Sequence, residues 1–387
     1  MKDPLFILAI LALNIVICEW LNRHTMLRHL GTTLLVILFT AVVANLGIIP
    51  SASEGSSLYN GIFAYVAPIC IFFLLLGVNL GQLKTVGLPM LIMFVIGSAA
   101  TAVGALVAVQ IIGGASMLGE DYRALAGMMT GTYTGGSINF NAIALHYNMV
   151  EKGNLYAGTV AVDNILTAIW MIATLLLPKI LQNWFPMKIA SSGNTMTEEE
   201  IAAIESEEEL IDPLQLGVLL ALGTGTLWIS DLTANWMTAQ FGLNIPSILI
   251  LTTIALVLAQ IPAIQQLQGA KLLGLFCVYL FLAVIGAFCE LAALGQIGAL
   301  AGVILLFTTT IVLVHGLLLF AIGGWLKQDW ALTSIASQAN IGGPSSAMAL
   351  AKSLGRTDLI LPSILVGTLG SGLGTYLGFL VAEVLLG

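Results

Sequence analysis

The chain has 387 residues, of which 58% are apolar and 8% are Asp, Glu, Lys or Arg. An ordinary soluble domain has about 25% charged residues, so this composition excludes a soluble fold. The net charge of −8 is local, because eight of the 20 acidic residues lie between Glu198 and Asp212. Long unbroken apolar runs argue against the alternating strands of a membrane β-barrel. The composition therefore predicts an all-α polytopic membrane protein.

Two halves of the chain repeat on either side of the acidic segment. Residues 3–5, Asp-Pro-Leu, recur at 212–214, and the glycine pair 135–136 recurs at 342–343. A collinear series of such matches is typical of an internal duplication. We predict a first transmembrane repeat over 1–185, an acidic linker over 186–212 and a second repeat over 213–387.

Each half contains six hydrophobic segments, close to the ~20 residues that a membrane-crossing helix needs. They are 4–20, 31–49, 61–80, 88–112, 123–149 and 155–181 in the first half, and 213–229, 245–261, 272–289, 300–322, 331–354 and 359–386 in the second. The fifth segment of each half is interrupted, by Gly131–Ser137 and by Asn340–Ser346. Paired glycines permit positive φ and Pro344 lacks an amide donor, so both segments are predicted to be broken.

The basic residues test how these segments cross the membrane. With twelve crossings they divide evenly between the two sides. With each broken segment as a re-entrant hairpin, nine of the 12 basic residues lie inside, which the positive-inside rule prefers. Any other odd number of crossings per half would also invert the second half relative to the first, so the basic residues favour inversion more firmly than they favour hairpins. We predict inverted repeats of five crossings plus one broken element, with both termini outside and the linker cytoplasmic.

Breaks at membrane depth imply a cavity, because non-helical backbone there must be satisfied by protein or water. Half-helix N-termini attract anions, while freed carbonyls and nearby hydroxyl or amide oxygens coordinate Na⁺. The candidate solute- and ion-binding residues near the breaks are Thr132, Thr134, Gly135, Gly136, Ser137, Asn139, Asn141, Ser337, Gln338, Asn340, Gly342, Gly343, Ser345 and Ser346. The alternative is that small residues merely allow close helix packing.

Asp163, followed by Asn164, lies well inside the last hydrophobic segment of the first half. An ionisable group at that depth is a functional-site hypothesis. Both residues are therefore candidates for the site. Asp163 is expected either to take up a proton, or to ligate Na⁺ as the one metal-ligand candidate, or to be a structural acid satisfied by Thr159 or Thr167.

Three further residues have weaker signals. His315 lies inside an apolar segment, where it either relays protons or, more simply, packs as a buried side chain. Arg123 and His146 flank the first broken segment and are candidates for meeting an anionic substrate at its mouth.

With these features assembled, the chain resembles the YjcL-like family of membrane proteins, on residues 131–139 and 338–346. That family is grouped with the cation-proton antiporter and anion transporter superfamily. The resemblance implies two crossed broken elements, a core formed by the third to sixth segments of each half, a scaffold domain and a homodimer. Asp163 and Asn164 resemble the acidic pair of the antiporters, although the order here is Asp-Asn.

The resulting prediction is a secondary active transporter of the bacterial plasma membrane that works by alternating access. Its partners would be the lipid bilayer, Na⁺ or H⁺, and a small organic solute such as a carboxylate, amino acid or short peptide. The alternative is a cation/proton antiporter without an organic substrate. An enzyme function is not expected, because the sequence has no metal-protease motif and no clear nucleophile with its base. The sequence has no nucleotide-binding loop, so the energy is expected to come from an ion gradient rather than ATP. No nucleic-acid partner is expected. No cofactor is expected.

Overall fold

The computed structural model describes residues 3–29, 31–51, 56–188, 212–243, 245–289 and 294–385. The regular elements within these ranges are all helices. Most of the predicted linker 186–212 lies outside the described residues, which include only 186–188 and Asp212 from it.

Both halves contain the same succession of seven main helices. In the first half these are α1 Pro4–His24, α2 Gly31–Asn45, α3 Ser57–Leu75, α4 Leu88–Ile112, α5 Tyr122–Gly135, α6 Ser137–His146 and α7 Gly153–Trp184. In the second half they are α8 Pro213–Phe241, α9 Ser247–Leu258, α10 Ala270–Ala287, α11 Leu294–Trp325, α12 Trp330–Ile341, α13 Gly343–Ser353 and α14 Ile360–Val384. All twelve predicted segments are therefore helical, and the fifth of each half is divided in two.

The lengths and compositions of these helices fit a multi-pass membrane protein. Among the described residues, eight helices are long and apolar enough to span a membrane, and α2 and α9 are shorter apolar helices. The repeated Asp-Pro-Leu is a helix start. Asp3 accepts from the amides of Leu5 and Phe6, and Asp212 accepts from Gln215, while proline occupies the first helical position.

The helices form two packed groups. We call α1, α2, α3, α8, α9 and α10 the scaffold group, and α4, α5, α6, α7, α11, α12, α13 and α14 the core group. The third segments, α3 and α10, pack mainly with α1, α2, α8 and α9. This differs from the core implied by the family resemblance, which included the third segment of each half. The core group instead consists of the fourth to sixth segments.

Glycines determine the closest helix contact of the core group, between α5 and α14. Three glycines four residues apart on each helix face one another in antiparallel order: Gly127, Gly131 and Gly135 on α5, and Gly378, Gly374 and Gly370 on α14. A Cβ atom added to Gly135 would lie 1.9 Å from the carbonyl carbon of Gly370. The two backbones therefore touch, as in the small-residue interfaces of membrane helices.

Candidate functional site

The first break lies between α5 and α6. Helical geometry is lost at Tyr133, with φ −86° and ψ 16°, and Gly136 has φ 102° and ψ 178°. The conformation of Gly136 is accessible essentially to glycine alone. Beyond the break α6 folds back along α5, since a Cβ on Gly131 would lie 2.9 Å from Cδ1 of Ile143. The first broken segment is therefore a helical hairpin, called hairpin 1 below.

The second break lies between α12 and α13. Gly342 keeps a right-handed conformation with φ −104°, whereas Gly343 has φ +74° and is followed by Pro344. The positive φ turns the chain, and Pro344 lies in the first turn of α13, where its missing amide donor has no cost. Helices α12 and α13 pack against each other, and we call this pair hairpin 2.

An ion pair closes the open end of each hairpin. Lys152, which follows α6, lies 2.6 Å from Asp121, which precedes α5. Arg356, which follows α13, pairs with Asp329 before α12 and, at 2.8 Å, with Asp358. The hydrogen bonds that Arg356 donates to Asp358, together with the hydrogen bond to the neighbouring Asp329 and the charges of both acids, raise the pKa of Arg356. Because the two ends of each broken segment lie together, each segment folds as a helical hairpin. Entry of each hairpin into the membrane from one side stays a prediction.

The tips of the two hairpins lie close together. A Cβ on Gly343 would lie 3.9 Å from the carbonyl oxygen of Gly135 and 4.0 Å from Cα of Gly136. Helices α6 and α13 both begin at this close approach, so the positive ends of two helix dipoles converge there. Ser137 and Ser345, in the first turns of α6 and α13, are exposed. Such convergent N-termini favour negatively charged groups.

Carbonyls freed at the first break are partly used by the protein. The hydroxyl of Thr101 on α4 lies 2.9 Å from the carbonyl oxygen of Tyr133, and Ser371 on α14 donates to that of Gly135 at 3.1 Å. A carbonyl oxygen has two lone pairs. Each can therefore accept one further donor or contact a cation, while the existing bonds tie the tip of hairpin 1 to its neighbours.

Asp163 lies on α7 beside the tip of hairpin 1. Its carboxylate accepts a long hydrogen bond of 3.4 Å from Thr167, whereas Thr159 bonds to its own helix at Leu155. The hydroxyl of Tyr133 lies next to the Asp163 carboxylate. That hydroxyl is enclosed and makes no well-aligned hydrogen bond with any described residue. The acid and the phenol thus face each other with unused hydrogen-bonding capacity.

Several predicted site residues fasten the hairpins to other helices. Asn139 donates to the Gly370 carbonyl at 3.1 Å and accepts from Thr375 at 2.8 Å, both on α14. Asn141 accepts from the hydroxyl of Tyr156, and the amide of Asn340 lies 2.9 Å from Ser98. These asparagines are buried. Their hydrogen bonds to other helices hold the two hairpins in place.

The remaining predicted residues differ in how open they are. Thr132 and Thr134 are buried, and Thr134 bonds to its own helix at 2.8 Å. Ser346 and Asn164 are half-buried, and the Asn164 amide nitrogen lacks a partner among the described residues. Ser346 and Asn164, together with Ser137, Ser345 and Asp163, are therefore the predicted polar residues that are not fully buried and could contact a ligand.

The comparisons with known proteins cover most of the chain. A family model described as a protein of unknown function (DUF819) matches residues 5–387. The chain belongs to the DUF819 family. It is also similar to the uncharacterized membrane protein YjcL of Bacillus subtilis (strain 168), with 28% identity over 351 residues that cover 87% of this chain and 85% of that protein. The YjcL-like family predicted from residues 131–139 and 338–346 is thereby confirmed.

In this DUF819 chain, sequence reasoning missed partners that come from other helices. Tyr133 lies within the interrupted Gly131–Ser137, and a phenol beside a break was the available signal. Thr101 and Trp170 had no comparable signal, because their roles depend on contacts with Tyr133 and Ser337 across helices.

Arg123 and His146 both lie at the open end of hairpin 1, in separate surroundings, and their contact with an anionic substrate stays a prediction. Arg123 donates to Tyr122 at 3.1 Å. His146 lines a separate cavity of about 350 Å³ that also contacts Asn60, Glu151 and Ser247. This cavity lies between hairpin 1 and the scaffold group of the DUF819 fold.

Proposed function

We propose that this DUF819 protein is a secondary active transporter that works by alternating access. The observation that carries the proposal is the close approach of the two hairpin tips, at Gly136 and Gly343, within a bundle of membrane-length helices. Five crossing helices and one hairpin in each half would make the halves inverted repeats, with the hairpins entering from opposite sides. Paired broken elements of this kind place a binding site near the middle of the bilayer. This geometry also supports membership of the cation-proton antiporter and anion transporter superfamily.

The proposed solute is a small organic anion, such as a carboxylate, an amino acid or a short peptide. The N-termini of α6 and α13 converge where the hairpin tips approach, and Ser137 and Ser345 add exposed hydroxyl donors in their first turns. Amides and hydroxyls at helix N-termini bind carboxylates without a cationic side chain.

The proposed coupling ion is Na⁺ or H⁺ at Asp163. The carboxylate is half-buried, the Tyr133 hydroxyl lies next to it, and the hydrogen bond that it accepts from Thr167 is long at 3.4 Å. An ionisable group so placed within a membrane helix is a natural site for a coupling ion. We place the protein in the plasma membrane as a homodimer, with the acidic linker in the cytoplasm.

The test begins with a thermal-shift screen of purified protein against carboxylates, amino acids and short peptides, each in Na⁺ and in Na⁺-free salt. A ligand that binds the folded state raises its apparent stability. A hit is then assayed for uptake into proteoliposomes. We expect Asp163→Asn to abolish ion-dependent uptake, because the amide cannot carry the charge.

Asp231→Asn on scaffold helix α8 is the matched control, since Asp231 is exposed. It should transport like the unmodified protein. Unchanged ion dependence in Asp163→Asn would show that Asp163 does not carry the coupling ion. Collapse of a pH gradient by Na⁺ or K⁺ without any solute would instead favour the cation/proton antiporter.

A further inference from the structure

His315, buried on α11, joins helices from both halves through hydrogen bonds. Its Nδ1 atom lies 2.9 Å from the Thr101 hydroxyl and 3.0 Å from the Gly97 carbonyl oxygen, both on α4. Its Nε2 atom lies 2.9 Å from the hydroxyl of Ser337 on α12. Ser337 also accepts from the indole nitrogen of Trp170 on α7, at 3.0 Å. One imidazole thus connects α4 with hairpin 2.

The partners of the ring determine where its proton lies. A carbonyl oxygen only accepts, so the contact with Gly97 requires a proton on Nδ1. On the other side, the indole of Trp170 can only donate, which leaves the Ser337 hydroxyl proton free to donate to Nε2. Thr101 then donates its proton to the Tyr133 carbonyl at 2.9 Å. This assignment satisfies every donor in the chain of bonds from Trp170 to Tyr133.

The chain of bonds ends at the residue that faces Asp163. Tyr133 is the non-helical residue at the end of α5, and its hydroxyl lies beside the Asp163 carboxylate. We propose that His315, with its proton on Nδ1, is a positioning residue that ties Ser337 of hairpin 2 to the Tyr133 backbone of hairpin 1, and so holds the Tyr133 hydroxyl at Asp163. The inference rests on the proposed function only for the role of Asp163 as the ion site.

Space around the ring is consistent with a fixed orientation. A Cβ on Gly97 would lie 3.1 Å from Cε1 of His315 and 2.1 Å from Oδ1 of Asn340. The absence of a side chain at Gly97 therefore allows both the imidazole and a hairpin 2 amide to reach the α4 backbone. The ring also makes an edge contact with Trp170, with centroids 6.2 Å apart.

The first experiment reads the geometry without transport. Full-length protein carrying ¹⁵N-labelled histidine is examined by NMR at neutral pH, and the signal lost in His315→Asn identifies His315. We expect a protonated Nδ1 and a bare Nε2. A proton on Nε2 would overturn the proposal.

The second experiment follows Tyr133 with 3-fluorotyrosine and ¹⁹F NMR, its signal being assigned with Tyr133→Phe. Ser337→Ala and His315→Asn should both move the Tyr133 signal, although the Ser337 side chain bonds to His315 and Trp170 and not to Tyr133. Thr308→Val is the control, because the buried Thr308 hydroxyl on the same helix α11 bonds, among the described residues, to the Ile304 carbonyl alone. An unchanged Tyr133 signal in both Ser337→Ala and His315→Asn would contradict the proposal.

Once a solute is known, the cation concentration for half-maximal uptake gives a third readout. We expect it to rise about tenfold in Ser337→Ala, as for the loss of one hydrogen bond, with a smaller change in maximal rate. Combining Ser337→Ala with His315→Asn should add little, since both cut the same chain of bonds. Failure of the protein to transport any solute would reject the proposed function, while the two NMR experiments would still decide the role of His315.

Discussion

Gly136 carries the sharpest local constraint of hairpin 1. Its φ of 102° belongs to glycine, yet nothing lies within 4 Å of an added Cβ. Gly136→Ala therefore isolates backbone strain from steric clash. We expect it to lower stability by about 1–3 kcal/mol, measured by thermal unfolding in detergent.

The matched control for this substitution is Gly158→Ala on helix α7. Gly158 also has open space around an added Cβ, and its φ is not in the positive range. Alanine in a helix interior is favoured over glycine by about 1 kcal/mol, so this variant should be as stable as the unmodified protein or more so. Equal melting temperatures for the two variants would show that the break is not strained.

Individual residues also show the limits of sequence reasoning at the site. The depth of Asp163 and the polar composition of both breaks were visible in the sequence, because they depend on local order alone. The hydrogen-bond partner of each side-chain oxygen was not visible in the sequence. Asn139 stays a predicted ligand for ion or solute, but the sequence did not show that its amide also bonds to Gly370 and Thr375 on α14. Such contacts arise only when distant helices pack.

The elements that define the site are the two hairpins, and the ion pairs at their open ends differ in burial. Asp329 and Arg356 are 7% and 13% exposed, whereas Asp121 and Lys152 are 23% and 49% exposed. Asp329→Asn keeps the helix cap but removes the charge. We expect a loss of about 2–3 kcal/mol, somewhat below that for breaking a fully buried pair, because Asp358 still contacts Arg356.

Asp121→Asn provides the comparison for the hairpin 1 pair. A half-exposed pair is screened by water, so its loss should cost less than about 1 kcal/mol. Thermal unfolding of both variants, with the unmodified protein alongside, gives the difference. A larger loss of stability in Asp121→Asn than in Asp329→Asn would contradict the expectation that the more buried ion pair stabilises the protein more.

For the molecule as a whole, the inverted arrangement is a prediction about sidedness. The open end of hairpin 1 should face outside and that of hairpin 2 the cytoplasm. Glu120 and Ser353 are exposed residues at these two ends. Glu120→Cys should react with a membrane-impermeant maleimide from outside in intact cells, and Ser353→Cys only after the cells are opened.

The unmodified chain serves as the labelling control. Its four cysteines are buried or half-buried, so background labelling should be low. Reaction of both introduced cysteines from one side would exclude inverted halves.

Much of the whole fold could be predicted from the sequence, because apolar length and paired glycines determine helices and breaks locally. All twelve segments and both interruptions were found this way. The division of the helices into scaffold and core groups could not be predicted, since apolar faces alone do not determine which helix packs on which. Helices α3 and α10 therefore joined the scaffold group against expectation. The spacing of Gly127, Gly131 and Gly135 was likewise visible, but its partner α14 was not.

The contact between α5 and α14 bears on how the protein is made. The hydroxyl of Ser371 and the carbonyl of Gly135 that it caps are 236 residues apart in the chain. Helix α14 therefore completes the packing of a hairpin that was synthesised long before it. Until then, hairpin 1 has bare backbone where α14 will lie, and unsatisfied backbone is costly in lipid. Insertion of the early helices must therefore precede assembly of the core, and a chain that stops before α14 should be a target for membrane quality control.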